Sequence, residues 1–256
     1  MSSHTWTPGA LSSEKRALSG ACWRVVEAQH KVSTLKLVDT LDEQALLESL
    51  IEQTKPPVPP DCRHLHYLLA TPFRYGSPYP RGSRFRRAGL TPGVFYGSAQ
   101  PNTAIAETAF HRLLFFAESP STPWPANAAE FTAFSVKYRT KRALDLMSLP
   151  LSADKTAWTH LTNYAPCQAL ADAAREAAIE AIRYESARDP AHGANVAILG
   201  CTGFASEQPI ERQTWRIQFG ATGARAICEF PDARLEFERD AFAADPRIAG
   251  LTWDRA

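Results

Sequence analysis

The stretch from Pro72 to His111, PFRYGSPYPRGSRFRRAGLTPGVFYGSAQPNTAIAETAFH, constrains this chain more than any other. Its second half reads as strand, turn, helix. VFYGS is a short run of β-branched and aromatic residues, and TAIAETAFHRLLFF repeats its apolar positions at helical spacing. Ahead of it lie Arg74, Arg81, Arg84, Arg86 and Arg87, five arginines within fourteen residues, interleaved with Gly82, Gly89, Gly93 and Gly97. Glycines permit tight turns and close backbone approach, and guanidinium groups are forked donors, so such a loop suits an anion, above all a phosphorylated ligand. In the helix, Glu107 sits among Ala104, Ile105, Ala106 and Ala109, which let a backbone press close to it. Two roles are open to that carboxylate: a surface acid, solvated or paired with Arg112, or a group facing a ligand.

A chain of 256 residues, 45% of them hydrophobic, is long enough to bury a substantial core in one large domain or two small ones. Its net charge of +1 argues against a broad polyanion-binding surface, which makes the arginine cluster a local device. Cys22, Cys62, Cys167, Cys201 and Cys228 form no close sequence pair and no CxxC. That spacing suggests neither a zinc site nor a disulfide framework, and it fits reduced thiols in a cytoplasm. No apolar run approaches the roughly 20 residues that span a bilayer, and the first residues lack an apolar leader segment, so a cytoplasmic protein is expected.

Taken in order, CWRVVEAQHKVSTLKLV reads as a packed lead-in, and a helix follows from Asp39 with acids in its first turn and Leu46, Leu47, Leu50 and Ile51 on one face. The proline run KPPVPPD makes an extended connector. It divides residues 1–60, a helical extension packed on the body, from 61–256. HLHYLLATPF reads as a strand or buried segment in which His64 and His66 alternate, without a third ligand to complete a metal site. EFTAFSVKYRTKRALDL reads as a strand pair or one long edge strand, and Trp158–Ile182 as mostly helical. In RYESARDPAHGANVAILG, Tyr184, Ser186 and Arg188 alternate as on a strand, DPAHG turns, and NVAIL is a buried strand. TWRIQFG and ARLEFERD are late strands.

The arginine in GSRF, the glutamate in TAIAE and the serine in YESARD, in that order and spacing, resemble the RES domain family over residues 64–204, and WRVVEAQHKVSTLKLVD and HYLLATPFRY are similar to its longer members. The resemblance implies an α+β fold, an ADP-ribosyltransferase-like core of mixed and antiparallel strands with flanking helices. It also implies an enzyme that degrades NAD+ by phosphorolysis or hydrolysis, the toxin of a toxin–antitoxin pair neutralised by an Xre-type antitoxin. On that resemblance Arg84, Glu107 and Ser186 are the catalytic set, and Arg74, Tyr75 and Tyr96 line the NAD+ pocket. The sequence departs from the family in RFRRAGLTPG, where many members carry an Asn and a shorter loop. No metal or resident cofactor is implied; NAD+ is substrate, with inorganic phosphate as a possible co-substrate.

The chemistry agrees with that assignment. Breaking the nicotinamide–ribose bond passes through an oxocarbenium-like state, which a carboxylate stabilises, and the pyridinium leaves without needing a general acid. One acid therefore suffices. The diphosphate calls for forked donors, Arg84 or Arg74, and a cationic nicotinamide favours an aromatic face, Tyr75 or Tyr96. Ser186 would hydrogen-bond ribose or phosphate oxygens, and Arg86 and Arg87 would sit outward. Alternatives are an ADP-ribosyltransferase acting on a protein, a non-catalytic nucleotide-binding module, and a nucleic-acid contact at Arg81–Arg87. The last is disfavoured because few aromatics, Tyr75, Tyr79 and Phe85, interleave with the arginines. Whether the chain forms a homodimer is open.

Overall fold

Strand β3, Ala129–Asp145, is the axis of the molecule. Its side chains at 133–136 and 143–145 are buried on both faces, whereas Lys137, Arg139 and Lys141 alternate outward between them. A strand buried on both faces is flanked on both edges. The computed structural model, which describes residues 6–27, 34, 37–76 and 82–255, shows those neighbours. Strand β1, Arg16–Glu27, runs antiparallel along one edge of β3, from Arg16 opposite Ala143 to Glu27 opposite Phe131. The other edge is shared. Strand β6 (Glu211–Gly220) pairs antiparallel with the first half of β3, and β4 (Ala181–Glu185) pairs parallel with its end. The long segment expected at an edge is thus central.

The remaining strands are β2 (Phe95–Ser98), β5 (Ala194–Ile198), β7 (Gly223–Cys228) and β8 (Ala233–Glu238). The sheet order is β1-β2-β5-β4-β3-β6-β7-β8, and because β1 also pairs with β3, the first five strands close into a ring. The helices, in chain order, are α1 (Pro8–Ser13), α2 (Leu41–Thr54), α3 (Tyr67–Arg74), α4 (Pro101–Glu118), α5 (Lys155–Trp158), α6 (Ala165–Glu176) and α7 (Pro246–Ala249). This is a mixed α+β architecture with helices flanking a sheet. The parallel β3–β4 pair requires a crossover, which α5 and α6 supply.

Three apolar clusters hold these layers. Ile105, Ala109, Phe110 and Leu113 of α4 pack on Phe131, Trp215 and Ile217 of the sheet. Leu170, Ala171 and Ala174 of α6 pack on Leu144, Ile182 and Ala197. On the opposite face of the ring, Phe95, Phe134, Val196 and Ile198 pack with Leu69 of α3. Each buried leucine or phenylalanine contributes about 1.5–3 kcal/mol, so α4 and α6, the two helices bearing on the site, are firmly seated.

Several expectations are corrected. Residues 1–60 are not a helical extension alone: β1 is a strand of the same sheet as the rest, because eleven of its residues pair in register with β3. Helix α2 begins as expected, with Thr40 and Glu43 forming a reciprocal capping box. HLHYLLATPF is no strand: His66 Nδ1 accepts the Leu68 amide at 3.2 Å and starts α3. The helix expected to reach Ile182 ends at Glu176. Ala178 turns to φ 54°, its neighbour Ile179 donates back to the Ala174 carbonyl, and the chain enters β4. Cys62 and Cys201 are disulfide-bonded across 139 residues, while Cys22, Cys167 and Cys228 are free and buried. Spacing along the chain does not reveal a pairing made by folding. No helix among the described residues is long and apolar enough to cross a membrane.

Candidate active site

Glu107 projects from α4 toward the turn between β4 and β5. Its Oε1 accepts a hydrogen bond from Ser186 Oγ at 2.6 Å and a second from Asn195 Nδ2 at 2.8 Å. The direction of the first is fixed by what surrounds Ser186. That side chain is fully buried, and its Oγ already accepts the backbone amides of Arg188 at 3.1 Å and Asp189 at 2.9 Å. Both lone pairs are engaged, so the hydroxyl proton goes to Glu107. Oε2 lies on the open side, 4.0 Å from Nε2 of the exposed His111, and the Glu107 side chain keeps 24% of its accessibility. Arg112, the alternative partner, pairs instead with Glu27 of β1.

Close approach of α4 to this turn depends on Gly193. A Cβ there would meet Thr103 Oγ1 of α4 at 2.1 Å and Asp189 Oδ2 at 2.7 Å, so no side chain fits. Behind the turn, the buried Arg188 donates to Asp245 Oδ2 at 2.5 Å and to the Tyr164 hydroxyl at 2.9 Å, bonds the Leu161 carbonyl, and lies 4.2 Å over the Phe110 ring. Arg247 adds two more bonds to the same Asp245 carboxylate. Burial alone pushes the Asp245 carboxyl up, but the hydrogen bonds from Arg247 and the charges of Arg188 and Arg247 hold it below its ordinary value.

Arg84 occupies the neighbouring loop. Gly82, at φ 65°, starts a tight turn in which Ser83 and Arg86 exchange backbone hydrogen bonds. Gln168 of α6 donates to the Ser83 and Arg86 carbonyls. Arg84 Nη1 donates to the carbonyls of Trp158 at 2.5 Å and His160 at 3.2 Å, and the guanidinium lies 5.1 Å over the Tyr164 ring. The Tyr96 hydroxyl is 2.9 Å from Ser83 Oγ and accepts the Phe85 amide at 2.9 Å, tying β2 to this turn. Tyr184, on β4, lies within electrostatic reach of both Glu107 and Arg84. Burial, then the Glu107 charge, push its hydroxyl well above the ordinary tyrosine value, so it remains a neutral donor. A cleft of about 570 Å3 opens beside the Arg84 loop, with Arg87, Asn163, Tyr164 and Gln168 in its wall. Tyr164 joins the halves of the region, facing Arg84 on one side and bonded by Arg188 on the other.

The fold therefore brings Glu107 and Ser186 into contact, sets Arg84 in the neighbouring turn, and ties Tyr96 of β2 to that turn. Arg74 and Tyr75 stand apart. Arg74 pairs with Glu52 of α2 at 2.6 Å and bonds the Pro56 carbonyl, so its charge is already answered. The Tyr75 carbonyl accepts Arg86 Nη2 at 2.5 Å, and among the described residues none of the hydrogen bonds or ring contacts of Arg74 or Tyr75 reaches Glu107. Arg86 turns inward to Tyr75 and Thr91 rather than outward, and Arg87 pairs with Asp172 at the surface. Arg81 and Tyr79 lie outside the described residues. The sequence places Tyr184 on a strand with Ser186 and Asn195 at the head of the NVAIL strand without giving either a part in the site, and Asp245 is far along the chain.

Among family models, the RES domain matches residues 58–220, more than half of the chain and all of Arg84, Glu107, Ser186 and Asn195. The chain belongs to the RES domain family. Among solved structures, this RES-domain chain is similar to one from the crystal structure of the M. tuberculosis MbcT–MbcA toxin–antitoxin complex, at 14% identity, with 80% of this chain and 89% of that chain covered and a TM-score of 0.45. Among curated proteins no significant match is found.

Proposed function

We propose that this RES-domain chain consumes NAD+, cleaving the bond between nicotinamide and ribose, with phosphate preferred over water as the acceptor, and that it acts as the toxin of a toxin–antitoxin pair. The fold that goes with this reading is an ADP-ribosyltransferase-like core. One observation carries it: Glu107 has one oxygen held by two donors and the other turned to the open side. A carboxylate so held presents a fixed negative charge, which is what an oxocarbenium-like ribose needs as the pyridinium departs. The leaving group is already cationic, so Glu107 has no proton to deliver and need not be protonated. Arg84, buried beside Tyr164, supports the diphosphate end, with Tyr96 holding the loop that carries it. Antitoxin binding would act by covering the approach to this site.

The test is to incubate the protein with NAD+ in the presence and absence of phosphate and to follow nicotinamide and the sugar product by mass. Release of nicotinamide with a phosphorylated ADP-ribose supports the proposal; no release under either condition sinks it. Glu107→Gln keeps shape and hydrogen bonding while removing charge, and it is expected to retain NAD+ binding and lose about 100-fold to 1,000-fold in kcat. Binding and cleavage lost together would place Glu107 in ground-state recognition instead.

A further inference from the structure

We infer that Asn195, oriented by Ser98, is a positioning residue that decides which oxygen of Glu107 meets the substrate; the inference rests on the reading of Glu107 as the ribose-facing carboxylate. Asn195 is buried and spans two partners, with Nδ2 2.8 Å from Glu107 Oε1 and Oδ1 2.7 Å from Ser98 Oγ. A carboxylate only accepts, so the amide must turn its NH2 to Glu107 and its oxygen to Ser98, and Ser98 must donate. Register enforces the arrangement. Ser98 lies opposite Asn195 in the β2–β5 pair, and Tyr184 lies opposite Asn195 in the β4–β5 pair, so the three side chains form one row across three strands.

Packing alone does not call for such a row. Around it the same sheet face is filled by Leu144, Ile182 and Ala197, and a buried polar group is costly unless every bond is made. Ser98 and Asn195 make theirs, and they lead to Glu107. Ser186 alone would leave the carboxylate free to swing about its terminal torsion. A second donor on the same oxygen, from strand β5, removes that freedom and leaves Oε2 outward. The ionisable groups that face Glu107 are His111 on its own helix and Tyr184 on β4, and His111 in turn feels the charges of Arg188, Arg247 and Asp245.

Asn195→Asp tests the role, because it keeps shape and the Ser98 bond but sets a second carboxylate against Oε1. Two carboxylates at that distance share a proton, so one of them titrates higher. In protein labelled with carbon-13 at glutamate Cδ and aspartate Cγ, one carboxylate of the pair, Glu107 or the introduced aspartate, is expected to titrate about one unit or more above the other. In turnover of NAD+, the acid limb of kcat should move up with it, while KM stays within about threefold and kcat falls by roughly tenfold to 100-fold. Ser98→Ala should lower kcat with KM little changed, and Ser98→Thr, which keeps the hydroxyl, should lose less. These two carry the test if Asn195→Asp does not fold. No raised titration in either carboxylate of Asn195→Asp, or equal losses in Ser98→Ala and Ser98→Thr, overturns the positioning role. A shifted titration in a protein whose parent never releases nicotinamide overturns the NAD+ reading and leaves the Asn195 hold on Glu107 standing.

Discussion

Ser186 has its proton spoken for. Two backbone amides point at its oxygen, and its hydroxyl points at Glu107, so it serves the carboxylate rather than the ribose or phosphate oxygens expected from the sequence. Ser186→Ala would take one donor from Glu107 and strand two buried amides, and we expect it to lower stability by about 1–3 kcal/mol in urea unfolding and to lower kcat more than it raises KM. A fall in NAD+ affinity with kcat preserved would return Ser186 to substrate binding. At this scale Glu107 and Ser186 were legible through their family spacing, and Arg84 through GSRF. Arg74 misled, because a dense run of arginines says nothing of who answers each charge; Glu52, 22 residues earlier, answers Arg74. Asn195 was invisible for a related reason. Its meaning lies in Ser98 and Glu107, 97 and 88 residues away.

The strand β2 and helix α4 were readable as elements because each carries its own period without interruption, and Pro101 opens the helix where a missing amide does no harm. Strand β1 was not, since Arg24 sits in its middle, donating to the Tyr96 carbonyl at 3.1 Å and lying 5.2 Å over the Phe95 ring. Burial lowers the pKa of that arginine, a sign of how far inside the fold it has been drawn. The run ALADAAREAAIEAI favours helix throughout by propensity, yet pairing with β3 and β5 claims its end. The break is made at Ala178, a residue with a Cβ held at φ 54°. Ala178→Gly relieves that conformation and is expected to stabilise the protein by about 0.5–1 kcal/mol, read as a higher urea midpoint with an unchanged m value. A lower midpoint would mean that the methyl group packs better than the turn is strained.

For the molecule as a whole, the decisive contacts join segments that no local pattern connects: β1 to β3, Cys62 to Cys201, and the tail to the site. Asp245 follows the last strand, yet its carboxylate answers the buried Arg188 charge two residues past Ser186. Asp245→Ala would leave that guanidinium unpaired inside the protein, and a loss of about 3–5 kcal/mol is expected on unfolding. Because the folded carboxyl is held below its ordinary value of 3.8, its contribution is complete above that value and disappears as the pH falls through the lower, folded one. Acid unfolding of the parent should therefore steepen below about pH 4, and the difference in stability between parent and Asp245→Asn should shrink there; a difference that holds constant into strong acid would show that the charge is not the source.

The family match ends at residue 220, before β7, β8 and α7 begin. Trimming the chain at residue 220 would discard Asp245 and the last sheet edge together, and the turn behind Ser186 would lose its anchor. The turn that carries Ser186 is braced from outside the span that carries the family's signature.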